Sequence, residues 1–311
     1  MADPLYWRDK IVLAKVEAAY GVDPTPAGAD AVLTTELTIT PMEGSDVDRA
    51  LDLPYHGPQG TIPTELHQKL SFRVELVGSG TAGTPPGWGA LLRACGCAET
   101  VLADTSVTYN RVTRGHESVT FYVWIADTLH AIPGARGTVS FRLTAQQIPY
   151  LQFEFTGLFR VPVEAARTAP AYAGYQKPQI VSSSNTPTFT MGGTPFVLRE
   201  AMLDLANAVE PRFLVGTERI LITDHQNAFT ARVEAVPVDD FDPYSLALAQ
   251  TEVAVELVHG TIPGRVVGLS VPRAQLQRPQ GLENAQDVVE WPLRMVPLAT
   301  AGNDNWTLEL T

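Results

Sequence analysis

Strict alternation of apolar and polar residues is the feature that most constrains how this chain folds. In Ser71–Val77, Phe72, Val74 and Leu76 alternate with Arg73 and Glu75. Such a period of two places one face of a strand in a core and the other face in water or on a polar partner. The same period recurs in VTFYVWIAD (119–127), GTVSFRLTA (137–145) and YLQFEFTGLF (150–159). The pattern predicts a mainly β fold built from antiparallel sheets.

Helical signals are few. The best lies in Pro85–Gly96, where proline suits a first helical turn and Gly96 suits a C-terminal cap. A weaker one lies in Asp242–Gln250, with Asp242 as N-cap and Pro243 at the first helical position. We therefore expect the strands to form antiparallel sheets, sandwiches or barrels, accompanied by two short α-helices.

The chain divides near residues 170–185, where loop-like and polar residues dominate. We predict an N-terminal domain of residues 1–170, a linker of residues 171–185 and a second, duplicated β-domain of residues 186–311. Four pairs of short matches suggest the duplication, because internal repeats are the signature of a duplicated architecture. They are FRVE (72–75) with ARVE (231–234), HAIPGARGTVSF (130–141) with HGTIPGRVVGLSV (259–271), VDR (47–49) with VEPR (209–212), and EFTGLFRVP (154–162) with EWPLRMVP (290–297).

Charge excludes a protein that grips nucleic acid. The net charge is −12, and both halves are acidic: residues 1–170 carry 13 basic and 18 acidic side chains, and residues 171–311 carry 9 and 16. DNA binding requires Lys and Arg that neutralise phosphates, so this chain should repel DNA. The N-terminus lacks the long apolar core of a signal peptide, and no apolar run is long enough for a membrane span, so we expect a cytosolic origin and no membrane partner.

A glycine motif, VELVGSGTAG (74–83), has the G-x-G-x-x-G outline of a dinucleotide-binding loop. A dinucleotide loop places its third glycine inside the first turn of a helix. Here Gly83 is followed by Thr84, Pro85 and Pro86, which delay the helix. We therefore interpret the motif as a strand-to-helix connection and predict no cofactor.

Sequence signals for a disulfide, a metal site or catalysis are equally sparse. Cys95 and Cys97 are too close for an unstrained disulfide and have no histidine at zinc-site spacing, so we expect two buried thiols at a helix end. The six histidines are scattered, and no nucleophile elbow, zinc-binding helix motif or P-loop is present. The sequence predicts no catalytic residue, no metal site and no enzyme.

Four segments resemble the tail tube proteins of bacteriophages with long, non-contractile tails. Asp9–Pro41 is similar to the opening of that family, with the run K-x-E-x-x-Y-G-x-D-P-T-P (Lys15–Pro26) followed by the strand ELTITP. GTPPGWGALLRACG (83–96) resembles the helix after the first strands of the family. PGARGTVSF (133–141) and FEFTGLF (153–159) resemble its closing strands.

The resemblance implies a structural virion protein, the major tail tube subunit. With the internal repeat, it implies a mainly β fold of two tandem antiparallel β-sandwich domains that are tail-tube-like, each with a short flanking α-helix. Copies would assemble in the host cytoplasm into stacked rings that conduct phage DNA. Since some family members carry two tube domains, a homotrimeric, pseudo-hexameric ring is favoured over a hexamer. The implied partners are the tape measure, tail terminator and distal tail proteins, and double-stranded DNA that passes without sticking.

The expected contact regions follow from this resemblance. The polar, turn-rich segment Pro41–Glu65 would be an inter-ring loop, and the N-terminal segment Ala2–Asp23 would also contact a neighbouring ring. An acidic lumen would keep DNA from sticking, and strand alternation nominates Glu75, Glu154 and Glu234 for it. The loop candidates are Glu43, Asp46, Asp48, Arg49, Tyr55 and His56.

Two other classes of function stay open from the residues alone. One is a two-domain β-sandwich adhesin or carbohydrate-binding module with an exposed aromatic platform, although core packing is the better interpretation of the tryptophans. The platform candidates are Trp88, Trp124, Trp291 and Trp306. The other class is an enzyme with an unrecognised site.

Overall fold

The computed structural model describes residues 4–311, and these form an almost entirely β protein, as the alternation predicts. Ala2 and Asp3 of the predicted N-terminal contact segment lie outside the described residues. The strands before residue 170 are β1 Lys10–Val16, β2 Thr35–Asp48, β3 Thr61–Glu75, β4 Cys97–Leu102, β5 Ser106–Arg111, β6 Val119–Ile125, β7 Thr128–Thr144, β8 Tyr150–Leu158 and β9 Val163–Glu164. The later strands are β10 Thr188–Met191, β11 Thr194–Pro195, β12 Leu198–Asp204, β13 Asn207–Leu214, β14 Thr217–His225, β15 Ala228–Glu234, β16 Glu252–His259, β17 Val267–Leu276, β18 Glu283–Ala285, β19 Val288–Pro297 and β20 Thr307–Leu310.

Both predicted helices are present and short. Helix α1 covers Gly89–Ala94, and it begins late because Pro85 and Pro86 precede it. Helix α2 covers Pro243–Leu248, and the Asp242 carboxylate caps it by accepting the N–H groups of Tyr244 and Ser245. A 3₁₀ turn covers Gly28–Asp30.

Strand β7 organises the N-terminal half, because it passes through both layers of a sandwich. Its first part pairs with β6, which pairs with β1; its second part pairs with β8, which pairs with β3 and then β2. Gly134, at φ 63°, lies where β7 crosses from one layer to the other. Apolar side chains from both layers, among them Phe72, Phe121 and Phe153, fill the core between them.

The C-terminal half repeats this strand order. The antiparallel order β1–β6–β7–β8–β3–β2 recurs as β10–β16–β17–β19–β15–β12. Even an irregularity recurs: the register shifts between Val119 and Phe121 in β6, and between Val253 and Val255 in β16. Since bulges are specific features of a fold, this shared shift identifies the strands as counterparts.

The registers show which of the sequence matches are real. Arg73 on β3 pairs with Gln152 on β8, and Arg232 on β15 pairs with Pro292 on β19. Because β15 and β19 are the counterparts of β3 and β8, FRVE and ARVE occupy the same position in the two halves. The other long matches are wrong. Gly134 lies inside β7 whereas Gly264 precedes β17.

The last match is displaced by four positions. Glu154 pairs with Ser71, and the counterpart of Ser71 is Thr230, which pairs with Arg294. Glu154 therefore corresponds to Arg294 and not to Glu290.

One sheet joins the two halves. Strand β12 adds to the free edge of β7, from Glu200 opposite Thr144 to Asp204 opposite Ser140. We call the resulting sheet, in the order β2–β3–β8–β7–β12–β15–β19–β18, the shared sheet. In the opposite layer, the C-terminal strand β20 bridges β17 and β5. Residues 165–187, which contain the predicted linker, form no strand.

The segment expected to be a long loop, Pro41–Glu65, is mostly a β-hairpin. Residues 41–48 continue β2, residues 61–65 open β3, and only residues 49–60 connect them without strand structure. The pairs Val47–Ile62 and Asp48–Thr61 hold the two arms together, so the high polar and turn-residue content of this segment concealed paired strands. We call residues 41–67 the first hairpin, and β13 with β14, residues 207–225, the second hairpin.

Candidate functional site

The three acidic lumen candidates lie on one face of the shared sheet. Glu154 is exposed on β8 between Phe153 and Phe155, which are buried in the core. Glu75 on β3 and Glu234 on β15 also alternate with buried neighbours, Val74 and Val233. Because alternate residues of a strand share a face, all three acids point away from the core. We call this surface the polar face.

The polar face is mixed in charge and not purely acidic. Glu200 and Asp204 on β12 add two acids to the candidates, but basic side chains accompany them on four of the eight strands, β3, β7, β15 and β19. Burial and alternation place these basic residues on the same side: Lys69, Arg73, Arg142, Arg232 and Arg294. The acid surplus of the chain therefore lies largely elsewhere.

Local contacts hold the long side chains of the polar face against the sheet. Arg73 Nε donates to Gln152 Oε1 at 2.8 Å, and its guanidinium lies 4.6 Å from the Tyr150 ring centre. Gln152 Nε2 in turn donates to Ser71 Oγ at 3.0 Å. Burial raises the pKa of the Glu75 carboxyl. Two of the arginines are also paired with carboxylates: Arg73 with Glu36, and Arg232, whose Nε lies 2.9 Å from Glu283 Oε2. Paired charges attract a passing polyanion less than free ones would.

Five of the six predicted contact residues of the first hairpin are exposed and Glu43 is half-buried, and half of the six are in strand and not in loop. Glu43, Asp46 and Asp48 lie on β2, whereas Arg49, Tyr55 and His56 lie in the connection. Glu43 Oε1 lies 3.3 Å from Lys69 Nζ, the one ion pair that the structure gives for these six residues. Exposed apolar side chains accompany them: Met42, Val47, Leu51, Leu53, Tyr55 and Ile62.

The second hairpin, which the sequence did not single out as functional, is packed against the N-terminal half. The Ile220 N–H donates to the Tyr20 hydroxyl at 2.5 Å, and Arg136 Nη1 donates to the Ile220 carbonyl at 2.8 Å. Ile220 and Ile222 are buried there. Phe213 stacks on His67 of the first hairpin, with ring centres 6.3 Å apart. The second hairpin therefore belongs to the C-terminal half but packs on the N-terminal half.

A buried polar contact anchors the base of the second hairpin. Asn207 Nδ2 donates to the carbonyls of Cys95 at 2.7 Å and Gly137 at 2.9 Å, and Asn207 Oδ1 accepts from Arg111 Nη1 at 2.7 Å. Burial lowers the pKa of Arg111. The amide thus ties α1, β7 and β5 to the second hairpin, and its donors and acceptors are all used.

The cysteines are free and buried, which confirms the prediction of two thiols at a helix end. Cys95 caps the C-terminus of α1, and Cys97 begins β4. Burial raises the pKa of Cys97 to about 12 and that of Cys95 well above its usual value. A thiol held in its protonated form is a poor nucleophile and a poor metal ligand. Among residues 4–311, no group of three or more His, Cys, Asp or Glu side chains is placed to hold a metal ion.

The glycine motif has a structural explanation. The Gly80 N–H donates to the Gly264 carbonyl at 2.9 Å, and a Cβ on Gly78 would lie 2.3 Å from that same oxygen. The glycines therefore let the N-terminal half approach the loop before β17 closely. The backbone of the other half occupies the space that a phosphate would need.

The aromatic platform of a carbohydrate-binding module is not available on the named tryptophans. Trp88, Trp124, Trp291 and Trp306 are all buried, at most 3% exposed. They pack in the cores, as strand alternation indicated. No helix in the described part of the chain is long and apolar enough to cross a membrane.

A family model described as phage tail tube protein matches residues 7–295, which is nearly the whole chain. No curated protein matches the chain.

Proposed function

The chain belongs to the phage tail tube protein family, and from that membership we propose that it is the major tail tube subunit of a virion. Copies would join into rings, and stacked rings would form a channel for phage DNA. This is a structural role without catalysis. The tape measure, tail terminator and distal tail proteins are the other tail proteins that such a tube would meet.

The observation that supports ring formation is the edge-to-edge junction inside the chain. Strand β12 of the second half pairs with β7 of the first half. Within residues 4–311, the two outer strands of the shared sheet are left free: β2, the counterpart of β12, has only β3 as a neighbour, and β18 has only β19. Free edges of long sheets tend to recruit further strands. We infer that β2 of one copy adds to the β18 edge of the next, as β12 adds to β7.

Three copies would then close a ring of six similar halves. The same heterologous contact would repeat around the ring, and such contacts close when the rotation permits. The polar face of the shared sheet would line the lumen, with Glu75, Glu154 and Glu234 among its side chains. The mixed, locally paired charges of this face suit a channel that DNA crosses without binding.

Electron microscopy of the purified protein tests the proposal. Rings or tubes with three subunits and six similar lobes are expected. A ring of six whole subunits would make the second half an outer decoration and contradict the junction inferred for β2 and β18. A protein that stays monomeric at high concentration, even with an isolated tail initiator complex added, would overturn the tube function itself.

A further inference from the structure

Each half has a groove beside the C-terminal end of its helix. The groove of the N-terminal half is filled, whereas the corresponding groove of the C-terminal half is open. In the N-terminal half, the groove lies between the C-terminal end of α1 and β7, and the second hairpin covers it. We call it the covered groove. Ile222 Cδ1 lies 3.5 Å from the position of a Cβ on Gly96, directly after the helix. Ala94, Cys95 and Gly96 are all buried as a result.

The counterpart in the C-terminal half is open. Helix α2 ends at Leu248 as α1 ends at Ala94, and Gln250 has the positive φ of Gly96. Yet Leu248, Ala249 and Gln250 are exposed, with Leu248 at 88%. A groove of about 400 Å³ adjoins this helix end. Its lining includes Ala247, Gln275, Gln277, Arg278 and Gln280. We call it the open groove.

The first hairpin is the counterpart of the hairpin that fills the covered groove. Each hairpin has a cross-strand Val–Ile pair, Val47 with Ile62 and Val209 with Ile222. Ile222 is 8% exposed, but Ile62 is 53% and Val47 is 51% exposed. Exposed apolar clusters of this kind on a soluble chain mark interaction surfaces.

We propose that the first hairpin of one copy lies in the open groove of the next copy, as the second hairpin lies in the covered groove within the chain. Within the chain, β12 and the second hairpin both contact the N-terminal half. Their counterparts β2 and the first hairpin should therefore both contact the C-terminal half of one neighbouring copy, the copy whose β18 edge receives β2. The inference rests on the self-assembly proposed above. It makes this hairpin a lateral clamp within a ring, and it leaves residues 49–60 to project beyond the groove.

Cysteine cross-linking between separately labelled copies tests the contact. Ile62→Cys is introduced in one preparation and Gln250→Cys in another, because Ile222 and Gly96 are neighbours in the covered groove. The two preparations are mixed, assembled and mildly oxidised. Both positions are exposed, and the native thiols are buried, so neither folding nor Cys95 and Cys97 should interfere. A disulfide-linked dimer of the two variants is expected.

A matched control uses Val101→Cys in place of Gln250→Cys. Val101 is similarly exposed, at 48%, but lies on β4 in the opposite layer. Its mixture with Ile62→Cys should give at least tenfold less linked dimer. Rings seen by microscopy without the Ile62–Gln250 link would overturn the clamp and leave the tube function intact. Absence of rings from the unmodified protein, even with an isolated tail initiator complex added, would instead refute the proposed function, and the clamp with it.

Discussion

Glu17, in the Lys15–Pro26 motif, is a buried carboxylate whose oxygens are fully used. They accept the hydroxyls of Ser118 and Thr120 at 2.5 and 2.6 Å, and the backbone N–H groups of Gly21 and Gly134 at 2.7 and 2.6 Å. Glu17 therefore links the end of β1 to β6 and to the bend of β7. The sequence showed the motif but not this role, because three of the four partners, Ser118, Thr120 and Gly134, are 101 to 117 residues away.

Replacement of this carboxylate should destabilise the N-terminal half. Glu17→Ala leaves several buried donors without an acceptor, and we expect a loss of roughly 3 kcal/mol in the free energy of unfolding. Urea denaturation followed by circular dichroism measures it. Glu164→Ala, at an exposed position on β9, is the control and should change stability by less than about 0.5 kcal/mol. Equal effects of the two variants would show that the Glu17 network contributes little.

The buried thiols predict a pH-dependent reactivity and stability. Because the pKa of Cys97 is raised to about 12, neither thiol should react with a disulfide reagent at pH 8 in the folded protein, whereas both should react in urea. The unfolded thiols ionise near pH 9, so their contribution to stability is complete below that pH. It declines as the pH rises from about 9 towards 12. Rapid labelling of the native protein at pH 8 would contradict the burial.

At the scale of elements, what the sequence could predict was local. Alternation predicted the strands, and proline and aspartate signals predicted α1 and α2 within a few residues. The distal arms of the first hairpin were missed, because Gly44, Pro54 and Pro63 resemble loop residues when the partner strand is unknown. Register was also out of reach: Gly134 and Gly264 share a local sequence but lie in different structural contexts.

Docking of the second hairpin should depend on one hydroxyl. Tyr20→Phe removes the acceptor of the Ile220 N–H, and we expect amide exchange in residues 217–225 to accelerate about tenfold while the sandwich cores stay protected. Hydrogen exchange with mass spectrometry resolves these segments. Tyr122→Phe removes a hydroxyl that binds exposed Asp23, and it should leave the hairpin unchanged. Unaltered exchange in the Tyr20 variant would mean that apolar packing alone holds the hairpin.

At the scale of the whole molecule, the distribution of charge matters more than its sum. The candidate acids could be assigned to one face from strand alternation, since Glu75, Glu154 and Glu234 all lie opposite core residues. Alternation also placed Arg73 on the face of Glu75, but it did not bring Arg142 and Arg294 beside these acids, because the sequence does not say which strands are neighbours. The net charge of −12 therefore describes mostly the rest of the surface.

The polar face should control how tubes treat DNA. The triple variant Glu75→Lys, Glu154→Lys and Glu234→Lys replaces three acidic side chains of the lumen with basic ones in each subunit of the tube. We expect short duplex DNA, which unmodified tubes leave free at moderate salt, to be retained and protected from nuclease, with the retention lost as salt rises. Filtration and digestion of labelled DNA measure both properties.

A control with the same change of charge separates the lumen from the outside. The variant Asp104→Lys, Glu164→Lys and Asp239→Lys alters exposed acids that lie off the polar face. DNA held by these tubes should stay accessible to nuclease, because it would bind the outer surface. If nuclease digested the DNA bound by both variants equally, the polar face of the shared sheet would lie on the outside of the tube. The assignment of this face to the lumen would then be wrong.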